Sequence, residues 1–413
     1  AAFIRELGTK ELKGFNDFIR RFFGVAMLRA VSVLGIFASS FYITSTYGIS
    51  EFGRFSFVFA VSSLILVISR FGCEYSVFKG FFDKYQVNEK SAFGDLQIVV
   101  ALSFFVSFSL CVLSVLLLPI EEEYLYMFVV HTLVFSIIQP LSLALRAVSR
   151  FKESYIIDVG SYWLLITGVW AVFGYVSDMH YIEVSVPFYL TYFLIVFIVF
   201  RKELGGMNLR FALLYRCALD NVHFLVYSLS EYLCFWAVLL VSGFLLNSTE
   251  VGYISWGGRI FQLFVFFIGV RNSIIVPEIL KSDNGFVMFK YRMRESLVYA
   301  SSIVVFVGII TSILGFIYGA YVREYFTPAL LALLFFFASC IRMAFGPVSH
   351  IFSRYADIKD VFINLLMISF LCVVGGFAIY HGGVLYAGVL YLVIWLASLT
   401  YLYYVANKKM GAE

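Results

Sequence analysis

The chain has 413 residues, 62% hydrophobic, 20% aromatic and only 14% charged, with a mean hydropathy of +0.92. A soluble domain averages about 45–50% apolar and about 25% charged residues, and a surplus this large needs a surface that is not water, which excludes a soluble fold. The net charge of +4 carries no message until it is mapped by side of a membrane, and no nucleic-acid partner is expected.

In chain order, residues 1–21 come first as an amphipathic segment. Phe3, Ile4, Leu7, Leu12, Phe15, Phe18 and Ile19 gather on one helical face, although Gly8 and Gly14 interrupt it. Such a segment lies on the inner leaflet or forms a plain cytoplasmic tail. The first residue is Ala, so the start is expected to be processed, trimmed or fused. The apolar block from Phe22 is longer than a signal h-region and has no small-residue cleavage site, so it is read as a span. Apolar blocks of about 20 residues cross a hydrocarbon core of about 30 Å as helix. Twelve are predicted: 22–47, 52–71, 94–118, 124–145, 155–177, 183–200, 222–247, 251–276, 296–320, 327–347, 360–380 and 383–406. Residues 201–221 form a polar cytoplasmic linker and 407–413 a tail. The loop Lys and Arg fall in the N-terminal segment, the even-numbered connections and the tail. The odd-numbered connections hold only Arg323 and are acidic, as in "PIEEEY", "SDMHYIE" and "NSTE". The positive-inside rule then places both termini in the cytoplasm.

The chain also repeats itself. "SEFGRFSFVFA" (50–60) has an echo in "TEVGYISWGGR" (249–259), aligning Glu51, Gly53 and Ser56 with Glu250, Gly252 and Ser255. Each copy leads into a span from an external turn. "SRFK" (149–152) and "SRYA" (353–356) echo in the same way after the fourth and tenth spans. Two echoes at matching places make two six-span lobes in parallel orientation, 22–200 and 222–406. They are related by a pseudo-two-fold along the membrane normal, with a substrate site between them and rocking as the means of access. A glycine in each echo serves a tight turn or the function itself, and both readings stay open.

Charges inside spans cost roughly 2.5–3.5 kcal/mol each at the centre, so they need a reason. Arg54 lies near an interface, three residues after Glu51, and is read as an anchor; Arg271 faces away from the polar stripe of its span and snorkels. Arg259 shares a face with Ser255, Gly258, Gln262, Gly269 and Ser273. Arg29 lies on a face with Ser32, Ser39 and Ser40, and Arg342 with Ser339, Gly346, Ser349 and His350. Glu231, mid-way along the seventh span, aligns with Tyr227, Ser228 and Ser242. Glu231 and one Arg can pair to hold the lobes together, but one carboxylate does not neutralise three arginines. Arg29, Arg259 and Arg342 are therefore expected to form one cationic patch for a phosphate-bearing anion, whose oxygens the guanidinium fork matches. Ser32, Ser228, Ser255, Gln262, Ser339 and His350 are expected to line its cavity, with Glu231 the candidate coupling residue.

No GxxxxGK[ST] loop, HExxH or cysteine cluster is present, so neither nucleotide hydrolysis, nor a metal, nor a cofactor is expected. The six cysteines read as small core residues, and the five histidines are dispersed.

"YGISEFGRFSFVFAVSSLILVISRFGCEYSVFK" (47–79) and "STEVGYISWGGRIFQLF" (248–264), with the span pattern, resemble the Wzx-type O-antigen flippases. These are polysaccharide-transporting members of the multidrug/oligosaccharidyl-lipid/polysaccharide exporter superfamily, which has a MATE-like fold. The resemblance covers nearly the whole chain and rests on glycine and aromatic patterns. It implies a non-enzymatic transporter in the bacterial inner membrane that carries undecaprenyl-pyrophosphate-linked oligosaccharide from inner to outer leaflet. A proton, sodium or the membrane potential would drive it, with the polymerase and chain-length regulator of O-antigen (lipopolysaccharide) biosynthesis as partners. Relatives that flip cell-wall precursors carry arginines on the first and eighth spans, as Arg29 and Arg259 do here. The alternatives are a cation-coupled multidrug exporter, whose cargo prefers carboxylates, and an O-antigen polymerase, which calls for a large external loop.

Overall fold

The structure, a computed structural model, describes residues 27, 30–72, 89–118, 120–148, 150–157, 159–177, 179–204, 222–281, 285–317 and 326–411. Among these every regular element is an α-helix. In the N-terminal half they are α1 (Ala30–Tyr47), α2 (Ile49–Ser69), α3 (Glu89–Leu117), α4 (Glu122–Ala147), α5 (Phe151–Ile157), α6 (Val159–Ser177), α7 (Tyr181–Val199) and α8 (Arg201–Leu204). In the C-terminal half they are α9 (Val222–Leu245), α10 (Ser248–Lys281), α11 (Gly285–Ile317), α12 (Phe326–Ala344), α13 (Val348–Tyr355), α14 (Ile358–Gly382) and α15 (Val384–Met410).

Nine of the described helices are long and apolar enough to cross a membrane, so the chain is a multi-pass membrane protein. The other predicted spans fall on α6, whose apolar part Tyr162–Ser177 is shorter, and on α10 and α11. Those last two have 34 and 33 residues, roughly 50 Å at 1.5 Å per residue. Lys290, Arg292 and Arg294, expected in a loop, therefore lie on α11. The linker also differs from expectation: its first residues, Arg201–Leu204, are helical. The amphipathic segment 1–21 and residues 205–221 lie outside the described residues.

Local chemistry sets the breaks. Gly48, at φ 96°, separates α1 from α2, a conformation that an L side chain resists. Asn247 opens α10: its Oδ1 accepts from the Glu250 N–H at 3.0 Å, while Glu250 Oε2 accepts from Asn247 Nδ2 at 2.8 Å, a reciprocal cap of the kind that satisfies orphan N–H groups. Glu51, the counterpart of Glu250, is used otherwise. It accepts from the hydroxyls of Tyr124 and, at 3.1 Å, Tyr181, which ties α2 to α4 and α7. Arg54 reaches Glu121 at 3.1 Å and Glu51 at 3.9 Å, as expected of an anchor.

Aromatic rings fill each half. Phe55, Phe59, His131, Phe135, Tyr162, Trp163 and Tyr189 interlock in the first, and Phe235, Phe261, Phe335, Tyr391 and Trp395 in the second. The halves meet where α2 packs on α9 and α10. Gly53 and Gly252 are not turn residues; both sit in the second turn of their helices. A Cβ on Gly53 would overlap the carbonyl oxygen of Ser248, and one on Gly252 that of Ile49. The two contacts are the same contact read in both directions, because Ile49 and Ser248 occupy equivalent places in the repeat. Small residues allow this approach of helix backbones inside a membrane.

Gly53→Ala and Gly252→Ala are each expected to force α2 and α10 apart and destabilise the chain by about 1–3 kcal/mol, the usual cost of overpacking. Gly168, on α6 with nothing within 4 Å of its Cβ position, should accept Ala with no loss. Thermal unfolding of the three purified variants checks this; unchanged midpoints for both crossing glycines would show that the backbones are not in contact.

Candidate functional site

Arg259 projects from α10 at the seam between the halves and is only 4% exposed. Its Nε donates to Ser40 Oγ on α1 at 3.0 Å, and its Nη1 to Gln262 Oε1 one turn along α10 at 3.0 Å. The guanidinium carbon lies 5.9 Å from the centroid of the Phe52 ring on α2. Every one of these partners is neutral. Among the described residues no carboxylate comes within 4.0 Å of Arg259.

The cleft beside it has a volume of about 20 Å³. Ser56 of α2, Phe235 and Trp236 of α9, Ser255, Gly258 and Gln262 of α10, Phe335 of α12 and Tyr391 of α15 all face it. Ser56 and Ser255 are the third identity of the repeated motif, so the repeat brings equivalent serines to one cleft. The repeat partner of Arg259 is Ala60, whose carbonyl oxygen accepts from the Tyr232 hydroxyl of α9. Trp256 Nε1 donates to Thr44 Oγ1 at 3.0 Å, another bond across the seam.

Arg342 occupies different ground. It is 5% exposed, at the end of α12, in a second cavity of about 20 Å³. Tyr227, Ser230, Glu231, Ser349, Asn364 and Trp395, all from the C-terminal half, line that cavity too. Arg342 Nη2 donates to Ser349 Oγ at 2.8 Å and lies 3.8 Å from Glu231 Oε1, with the guanidinium 5.3 Å from the Trp395 ring. Its Nε and Nη1, together with Asn364 Oδ1 and Trp395 Nε1, are buried without a hydrogen-bond partner. Asn364 Nδ2 donates to Ser230 Oγ at 2.5 Å.

The single cationic patch expected from the sequence therefore separates. Arg259 lines the seam with Ser255 and Gln262, while Arg342 faces Glu231 inside the C-terminal half. The physical reason is helix order: α12 and α10 are neighbours, yet the Arg342 end of α12 turns toward α9 and α15. Arg29 lies outside the described residues, as does the His350 side chain. Ser32 is half-buried on α1 and Ser228 is buried on α9. Ser339 donates to its own helix at the Phe335 carbonyl, 2.9 Å away. Arg271 donates to Ser296 Oγ at 2.5 Å and meets Glu295 at 3.5 Å, so it is neutralised rather than snorkelling alone. Sequence reasoning missed the aromatic wall of the seam cleft, Phe235, Trp236, Phe335 and Tyr391. Five helices contribute to that cleft, and no periodicity along one of them reveals its neighbours.

An arginine held by neutral oxygens in a place closed to water keeps an uncompensated charge, and an anion is the partner that such a charge favours. The neighbouring hydroxyls and the Gln262 amide can donate to the same anion.

No family model matches the chain, and no curated protein matches it in sequence. Solved structures do match its fold. The Vibrio cholerae MATE transporter VcmN, crystallised as a point mutant, is 11% identical with a TM-score of 0.62, covering 96% of this chain and 98% of that one. The eukaryotic MATE transporter AtDTX14 is 13% identical with a TM-score of 0.63, covering 97% and 98%. A MATE structure in complex with MaL6 follows at 9% and 0.51, covering 95% and 96%. The chain is thus a multi-pass membrane protein with the MATE transporter fold over nearly its full length.

Gln262→Glu is expected to place a carboxylate oxygen where Oε1 now meets Arg259 and to satisfy the charge internally. Binding of pyrophosphate to the purified chain should weaken about tenfold or more, the worth of one charged hydrogen bond, while the melting temperature holds or rises. Calorimetric titration with inorganic pyrophosphate, beside a melting curve, reads both.

Proposed function

We propose that the chain is a flippase for lipid-linked oligosaccharide, carrying an undecaprenyl-pyrophosphate-linked repeat unit of O-antigen or a related polysaccharide from the inner to the outer leaflet of the bacterial inner membrane. The observation that carries the reading is Arg259, a buried cation at the seam between the halves with no carboxylate among its described neighbours. It is the group that takes the pyrophosphate, and Arg29 joins it from the first span. Twelve crossings in two lobes that rock about the α2–α10 contact give alternating access, with both termini in the cytoplasm as the loop charges direct. The MATE fold also suits a cation-coupled multidrug exporter. That cargo calls for carboxylates, and among the described residues none that faces the seam cleft is acidic.

The second cavity supplies the coupling step. Outward movement of the anion is electrically downhill in an inside-negative membrane, by roughly 2.3 kcal/mol per charge per 100 mV, so release and reset limit turnover. Glu231 meets Arg342 among buried polar atoms that lack partners. A proton or a sodium ion arriving at Glu231 loosens that pair and lets α9 and α12 shift.

In a strain lacking its own O-antigen flippase, the wild-type chain should restore surface polysaccharide. Arg259→Ala should abolish that export at normal protein level, and Arg259→Lys should retain part of it, keeping the charge but losing the fork. Normal surface polysaccharide with Arg259→Ala would defeat the proposal, and drug efflux without polysaccharide export would favour the exporter.

Glu231→Gln is expected to leave pyrophosphate binding intact, slow export several-fold and flatten its pH dependence. An unchanged rate and pH profile would reduce Glu231 to a strut for Arg342.

A further inference from the structure

A third cavity lies away from both sites. It is an open groove of about 380 Å³ between α11, the end of α12 and α15. Its α11 wall carries Lys290 and Arg294 beside Met293 and Leu297, and Ala344, Phe345 and Tyr403 complete an apolar lining. Lys290, Arg294 and Leu297 follow one another at helical spacing, so they form one stripe of α11. All three are exposed. The stripe crosses the point where the helix changes character, from "KYRMRE" to "SLVYASSIVVF" (290–306). The cations therefore stand at the membrane interface, and Leu297, 57% exposed, stands at the first apolar turn.

The charges on this wall are not spent inside the protein. Glu295, their nearest acidic neighbour in sequence, is engaged by Arg292 at 2.9 Å and Arg271 at 3.5 Å. Asp357 and Asp360 are engaged by Lys409. Lys290 Nζ rests 4.1 Å from the centroid of the Phe286 ring. Among the described residues no carboxylate lies within 4.0 Å of Lys290 or Arg294. A roomy groove with two uncompensated cations at its head and an apolar lining running into the membrane matches one kind of molecule.

We propose that this groove binds an anionic phospholipid, its phosphodiester held between Lys290 and Arg294 and an acyl chain laid over Leu297 and Phe345. Basic pockets between transmembrane helices select anionic headgroups in this way. A zwitterionic lipid would need an acid beside the cations for its own ammonium, and the groove offers none among the described residues. Because α11 also presents Glu295 to Arg271 of α10, the lipid braces the helix that carries Arg259. The proposal does not depend on the flippase reading, since it concerns resident lipid and neither of the other cavities.

The test uses the full chain, delipidated in a neutral detergent, with phosphatidylglycerol and phosphatidylcholine added separately and bound lipid counted by native mass spectrometry. Wild type should hold one phosphatidylglycerol at least about tenfold more tightly than phosphatidylcholine. Lys290→Gln with Arg294→Gln should lower phosphatidylglycerol affinity about 25-fold, at about fivefold per cation, and barely change phosphatidylcholine. The two single variants, at about fivefold each, keep the test usable if the double variant does not fold. Leu297→Asn should weaken both lipids. Equal phosphatidylglycerol binding by wild type and all Gln variants would overturn the proposal. So would displacement of the lipid by excess inorganic phosphate, which would make the groove a site for a free anion.

Discussion

Two helices reach backbone contact only where neither raises a side chain between them, and α2 and α10 do so at Gly53 and Gly252. The remaining arrangement is built outward from that crossing. Each glycine faces the carbonyl at the start of the opposite helix, so the contact is reciprocal. Below it the same two helices turn Ser56 and Ser255 into a shared cleft, and α1 and α9 close on α10 and α2 through Ser40, Thr44 and Tyr232.

The symmetry of the crossing stops at the charge. Arg259 on α10 faces the seam, whereas its equivalent on α2 is Ala60. Glu250 is consumed in capping its own helix, whereas Glu51 joins α2 to Tyr124 and Tyr181. The two repeated segments thus contribute unequally to the cleft, and the cation comes from α10 alone among the described residues that line it. Leaving a buried guanidinium without a carboxylate costs free energy, and three devices limit that cost here: the Ser40 and Gln262 bonds, the Phe52 ring face and a small cleft with room for about one water. Arg342 follows the other solution. It is set against Glu231 and over Trp395, and its unpartnered nitrogens point to a cavity that water or an ion can enter.

Much of this was legible in the sequence, for physical reasons that can be named. Apolar blocks about 20 residues long declared the membrane, since no other solvent tolerates them. The repeated Glu-x-Gly-x-x-Ser marked α2 and α10 as equivalent. Polar stripes at helical spacing singled out Arg259 with Ser255 and Gln262, which the structure places on one cleft, and set Arg54 beside Glu51 as an anchor. Those signals are local, carried by one helix at a time.

What the tertiary structure alone decided is which faces meet. Arg259 and Arg342 read alike in the sequence, each a lone arginine on a serine-bearing face, but helix packing sends one to the seam and the other to Glu231. The two echoed glycines suited a tight turn as well as any other use until the crossing showed the backbone approach that excludes a Cβ. Lys290 and Arg294 read as loop charges until α11 proved long enough to carry them to the edge of an apolar groove. A sequence records the periodicity of each helix, and so which residues share a face; the neighbour of that face follows from the packing of all the helices together, to which residues far apart in the chain contribute.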